Sequence, residues 1–129
     1  MTKSEFQFTN PILLNIQFDV HEEFNDNVEL QIPIQFAASN NWDKKSEEAA
    51  AKLKISMGEE NNKYPYYLTA TMAANFKWNA ANFVPEAIEN LLDRNAPALL
   101  LAYARPIIAN ITNSSPFPVQ NLAYFDFTK

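Results

Sequence analysis

The most regular feature of this chain is an alternation of apolar and polar side chains, repeated in four segments. In the first, Ile12, Leu14, Ile16, Phe18 and Val20 alternate with Leu13, Asn15, Gln17 and Asp19. In the second, Val28, Leu30, Ile32, Ile34 and Phe36 alternate with Glu29, Gln31, Pro33 and Gln35. The third sets Ala49, Ala51, Leu53, Ile55 and Met57 against Lys52, Lys54 and Ser56. The fourth runs Tyr66, Leu68, Ala70, Met72, Ala74, Phe76, Trp78 against Thr69, Thr71, Asn75 and Lys77. A period of two predicts strands with one dry and one wet face, and wet faces belong to antiparallel sheets. Pro33 has no N–H to donate, so the second strand is expected at a sheet edge there, or bulged. Gly58 to Lys63 holds the only glycine and predicts a hairpin between strands three and four. Ser39 to Glu48 is expected to join strands two and three, and His21 to Asn27 strands one and two.

After Asn82 the period lengthens. Pro85 suits the first position of a helix, and Val84, Ala87, Ile88, Leu91 and Leu92 recur at helical spacing as far as Asp93. Asn95 and Pro97 punctuate, which predicts a second helix over Pro97 to Thr112. That helix is apolar on most sides: Leu99, Leu100, Leu101, Tyr103, Ile107, Ile108 and Ile111. A helix apolar nearly all round needs more than one partner, and a second copy of the chain would supply one. Pro106 lies inside it and is expected to kink or split it. Ser115 to Phe127, apolar, aromatic and broken by prolines, reads as an extended segment packed on the body. The expected fold class is therefore α+β: a four-stranded antiparallel sheet with two C-terminal helices on one face. All 129 residues form one domain, 1–129.

Composition narrows the function. The net charge is −5 and the ten Lys and Arg residues are scattered, which argues against nucleic acid. No cysteine is present, so disulfides, zinc knuckles and thiol nucleophiles are excluded. Neither a signal peptide nor a membrane-length apolar run is seen, and a cytoplasmic protein without membrane insertion is expected. His21, the single histidine, is expected to be a solvated loop residue, and no metal or cofactor site is legible. The adjacent pairs Glu22-Glu23, Glu47-Glu48 and Glu59-Glu60 would point apart on an extended chain, which suits charged loop ends better than acid/base couples. A small-molecule enzyme would need a cluster of titratable residues, and none is offered. The expectation is a non-enzymatic binding protein. A surplus of aromatics outside the core pattern, among them Phe24, Trp42, Phe83, Phe117 and Phe127, either plugs loops onto the core or lines a groove for extended apolar peptide.

The C-terminal third carries a resemblance. Ala102-Tyr-Ala-Arg105, Ile108, Pro116-Phe-Pro118, Asn121-Leu-Ala123 and Phe125-Asp-Phe127 are similar to the signature end of the SecB family of protein-export chaperones. Asn15-Ile-Gln-Phe-Asp19 and Met57-Gly-Glu-Glu60 also resemble family segments, in the family's order. The resemblance implies a SecB-like sheet with a long helix, assembly as a homotetrameric dimer of dimers, and ATP-independent holding of unfolded preproteins in apolar grooves. It implies delivery to the motor SecA, which in the family docks on an acidic sheet face. The matching positions are Asp19, Met57 and Glu59, with Asn15 replacing an acidic residue. For the client groove, Phe24, Phe36, Trp42, Phe83 and Leu101 are the candidate lining residues, in the strand-two region, the Trp42 loop and the long helix. Pro106, and an end at Lys129 without the family's C-terminal helix and acidic tail, depart from the pattern. They fit a divergent branch, such as chaperones that partner a toxin–antitoxin pair, or a phage-borne or Gram-positive relative.

Overall fold

The computed structural model describes residues 6–24, 31–61 and 63–116, with Leu122 and Phe127. The strands are β1 (Phe6–Phe8), β2 (Ile12–Val20), β3 (Ile34–Asn40), β4 (Glu48–Gly58) and β5 (Tyr66–Trp78). All pair antiparallel in one sheet, in which β5 is flanked by β4 on one side and by β1 and β2 on the other, with β3 outside β4. The sheet thus has five strands rather than the four expected, because β1 and β2 share one edge of β5. Phe6 to Phe8 face Trp78 to Phe76, and β2 continues along Ala73 to Tyr66. Three residues are too few for an alternation to stand out, which is why β1 is not legible in the sequence.

β2, β4 and β5 fall where the alternation predicts, with β4 one residue longer at each end. The second strand does not. Its ladder begins only at Ile34, and Gln31 to Pro33 lie outside it, while residues 28–30 fall outside the described part. Pro33 cannot donate to a ladder, and its carbonyl instead accepts from Gly58 N at 3.0 Å. β3 lies at the sheet edge, as Pro33 led one to expect. Gly58 closes this corner with φ 77°, and a Cβ there would sit 2.0 Å from the Tyr66 carbonyl oxygen.

The alternation in β2 also slips. A bulge between Leu13 and Asn15 shifts the register, so Leu13 lies opposite Met72 and Ile16 opposite Ala70, both on the dry face. Ile12, predicted dry, lies opposite Ala73 on the wet face and is 56% exposed. One inserted residue reverses the facing of everything beyond it, because the side-chain period is two.

Past a short 3₁₀ turn at Ala80–Asn82, the chain becomes helical as α1 (Pro85–Asn90), a wide π turn (Leu91–Asn95) and α2 (Ala96–Asn113). These run on without a break, giving one long C-terminal helix where two were expected. Asn95 keeps helical angles (φ −77°, ψ −39°), and the Ala96 N–H reaches back to the Leu91 carbonyl. That wider turn leads directly into Pro97, in the first turn of α2, where its missing donor is tolerated. Pro106 does not split α2 either. It lies on the exposed side, as does Ala102, whose carbonyl loses the bond and can be hydrated instead.

The helix seats on β4 and β5, and its π turn on β3. Leu53, Ile55, Met57, Leu68, Met72, Leu92, Leu100, Leu101 and Ile108 are sealed between the two layers. Asn40 Nδ2 donates to Asp93 at 3.2 Å, tying β3 to the π turn. His21, expected to be solvated, is half-buried, and its Nδ1–H donates to the Tyr64 carbonyl at 2.8 Å.

Candidate polypeptide-binding surface

A strand's dry-face side chains are hidden only where something covers them. The helix lies over β4 and β5, so the dry-face residues of β1 and β2 lie alongside it. The result is a strip of partly open apolar side chains. Phe8 is 45% and Leu13 38% exposed, and Phe6, Ile16, Phe18 and Val20 are half-buried. The strip follows β5 from Trp78 to Tyr66, twelve residue steps, or roughly 40 Å of extended chain.

Aromatic rings build its first end. Phe6 stacks on Phe76 (centroids 5.5 Å apart, 29°) and on Trp78 (5.7 Å, 18°). Phe83 meets Phe6 edge-on at 6.4 Å, and Trp42 meets Trp78 edge-on at 5.9 Å. The Trp42 loop is braced from within. Asp43 Oδ1 accepts from Lys45 N at 2.8 Å and Ser46 N at 2.9 Å, while Lys44 takes φ 71° and Trp42 Nε1–H donates to the Ser46 carbonyl at 3.0 Å. Those backbone donors hold the Asp43 carboxyl below its ordinary pKa. At the far end Phe18 tilts against Tyr66 at 5.3 Å. Burial pushes the Tyr66 phenol up to about 12.

On the other flank of the helix the surface is occupied by the chain itself. Phe127 stands edge-on to Phe36 at 5.8 Å. Arg105 Nε donates to the carbonyl of buried Leu122 at 2.7 Å. Leu122 and Phe127 thus pack on the body, as expected of their segment; residues 117–121, 123–126, 128 and 129 lie outside the described part.

The five expected groove residues are therefore not one cluster. Trp42 and Phe83 sit together at the Trp78 end of the sheet. Phe24 follows β2 at the opposite end, its N–H on the His21 carbonyl, and is half-buried. Phe36 lies on β3 beneath Phe127. Leu101 is 1% exposed and belongs to the core, because helical rotation turns it onto the sheet. Phe6, Phe8 and Leu13 carry the open strip and are missed by sequence reading. The only local signal for β1 is the Phe-Gln-Phe triplet, and Leu13 is dry only because of the bulge.

Of the three docking positions, Met57 separates from the other two. Asp19 is on the wet face, where Gln17 Nε2 donates to it at 2.6 Å. Glu59 is exposed and accepts from Asn61 Nδ2 at 3.0 Å. Met57 is 0% exposed, on the dry face beneath the helix, and cannot meet a partner there. Neighbouring strand positions face opposite ways, so Met57 is turned away from the face that carries Asp19, while Glu59, just past β4, lines a wet-face hollow with Gly58 and Tyr67, the residue opposite Asp19.

These features define a class: an α+β chain whose antiparallel sheet is backed by one long helix, with an open apolar strip beside it. No group of three His, Asp or Glu side chains able to hold a metal occurs among the described residues. Residues 8–129 match the family described as preprotein translocase subunit SecB, and the chain belongs to that family of chaperones. Among solved structures it is similar to the Mycobacterium tuberculosis SecB-like chaperone Rv1957, in complex with a ChAD peptide from the Rv1956 HigA1 antitoxin. The two share 17% identity with a TM-score of 0.76, over 94% of this chain and 91% of that one. A protein of unknown function from Streptococcus agalactiae is similar at 11% identity and a TM-score of 0.49, over 95% of this chain and all of that one. No sequence of a characterised protein matches significantly.

Proposed function

We propose that this protein is a non-enzymatic, ATP-independent holdase that keeps polypeptide chains unfolded by binding them along the open strip beside the helix. The observation that carries this reading is the strip itself: apolar side chains left uncovered along the length of β5, on a chain of the SecB family. An extended client of about a dozen residues matches its length. Each 100 Å² of apolar surface it covers contributes about 2.5 kcal/mol, offset by the entropy of holding the client extended.

Self-assembly follows from the helix. Its outward side presents Ala98, Leu99, Ala102, Tyr103 and Pro106, with Tyr103 40% exposed and no charged side chain among them. An uncharged helix face at this spacing suits packing against the same face of a second copy, as the family's dimer of dimers implies.

A dedicated chaperone of one partner is the second reading, and it is favoured over export delivery by the docking positions. Met57 is sealed, Asn15 replaces an acid, and the acidic docking face implied for SecA is reduced to Asp19 and Glu59. The peptide-bound state of the mycobacterial chaperone supports a polypeptide client. Suppression of aggregation separates the readings. A generalist slows aggregation of several unrelated unfolded proteins without ATP, a specialist protects one, and a chain that protects none is not a holdase.

A further inference from the structure

The sheet's wet face departs from the charge of the rest of the chain. The protein carries −5, yet the middle of this face bears Lys52 and Lys54 on β4. Both are exposed, and neither makes an ion pair or hydrogen bond among the described residues. The acids of this face stand towards its two ends. Glu48 lies opposite Lys77 at one end, and Asp19, opposite Tyr67, and Glu59, which lines a hollow with Tyr67, lie at the other. Around the lysines the neighbours are small. Lys52 lies between Ser39 and Ala73, and Lys54 between Ala37 and Thr71. Two free ammonium groups thus stand on a flat floor. A second observation lies in the same row: Ile12, turned to this face by the bulge, is across Ala73 from Lys52 and 56% exposed.

From this we infer that the wet face is a second docking surface, for an extended acidic segment of a partner protein with apolar residues interspersed. Lys52 and Lys54 are two positions apart on a strand, so their stems rise about 7 Å apart. An extended peptide laid along β4 repeats its side chains at the same interval, which brings alternate carboxylates onto both lysines. Ile12, two strands away at about 10 Å, offers an apolar contact beside them. Nucleic acid fits less well. A net charge of −5 repels polyphosphate, and the lysines have small aliphatic and hydroxyl neighbours where bases would need rings to stack on. The segment expected is opposite in charge to one that would suit an acidic docking face.

The test is fluorescence anisotropy on the full chain with a labelled nonapeptide in which glutamate alternates with leucine. The control is the same peptide with lysine for glutamate. Binding of the acidic peptide at least tenfold tighter than the basic one, weakening steeply between 50 and about 500 mM salt, is expected. The Lys52→Glu/Lys54→Glu variant should lose that preference, and Ile12→Ser should weaken it severalfold. Both side chains are exposed, and circular dichroism identifies any variant that fails to fold; Lys52→Gln/Lys54→Gln then replaces the charge reversal. Equal binding of the two peptides, or an acidic preference that survives in the lysine variants, overturns the inference. So does an oligodeoxythymidine that competes more strongly than the acidic peptide. Binding of an unfolded client to the strip is measured on the same variants and should be unchanged, so failure here leaves the holdase reading standing, and the reverse.

Discussion

Phe8 offers the sharpest test of where a client binds. It stands on β1 opposite Phe76, tilted against that ring at 6.2 Å, with 45% of its surface open. An aromatic side chain buries about 200 Å² when fully covered, so a client lying on the strip can cover a further ~90 Å² of Phe8. At about 25 cal/mol per Å² this contributes about 2 kcal/mol, or roughly thirtyfold in Kd. Phe8→Ser should therefore weaken binding of a permanently unfolded protein, such as reduced and carboxymethylated α-lactalbumin, by about ten- to thirtyfold. Stability should fall by only about 1 to 2 kcal/mol, because the ring is half outside the core at a sheet edge. The control is Val84→Ser. Val84 is 61% exposed, more than Phe8, but precedes the helix and is not on the strip. Anisotropy titrations of wild type and both variants, with urea melts in parallel, decide the matter. If Phe8→Ser binds like wild type, or Val84→Ser weakens binding as much, the strip is not the client site and general apolar exposure is a better account.

Leu101→Ala should cost about 2 to 5 kcal/mol of stability in a urea melt, because the side chain is 1% exposed in the core; a variant as stable as wild type but defective in client binding would restore Leu101 to the groove. Tyr66 is neutral and buried, its phenol raised to about 12 against an ordinary value near 10. Its contribution is thus complete below pH ~10 and is lost as pH rises towards ~12, by about 2 to 3 kcal/mol. Urea melts across that range should show the loss in wild type, with a shallower decline in Tyr66→Phe. Tyr103→Glu places a charge on the outward face of α2, and light scattering at micromolar concentration should show a smaller assembly than wild type; wild type that is already monomeric would refute assembly through this face.

Much of this molecule is legible in its sequence because burial patterns are local. β2 and β5 begin and end where the alternation does, β4 within one residue, and the dry faces of β4 and β5 are those the pattern names. The change of period after Asn82 announces the helix, and the family signature beyond Tyr103 is carried by short contiguous words. These are properties of a residue and its near neighbours, and strands and helices impose fixed periods on them.

What the sequence could not decide depends on register and on where distant elements come to rest. The bulge after Leu13 exchanges the facing of Leu13 and Ile12, and that exchange contributes to both the open strip and the wet-face patch. Whether Pro97 ends a helix or follows a wide turn depends on Ala96 reaching the Leu91 carbonyl. Leu101 and Met57 look like plausible contact residues by type, but both lie under the helix once it seats on β4 and β5. Phe36 is claimed by Phe127, some ninety residues further along the chain. Sequence alone established a one-faced sheet, a long helix and an excess of apolar surface. Only the tertiary structure chose which flank of that helix the chain covers itself and which it leaves open, because that choice is made by contacts between segments far apart in the chain.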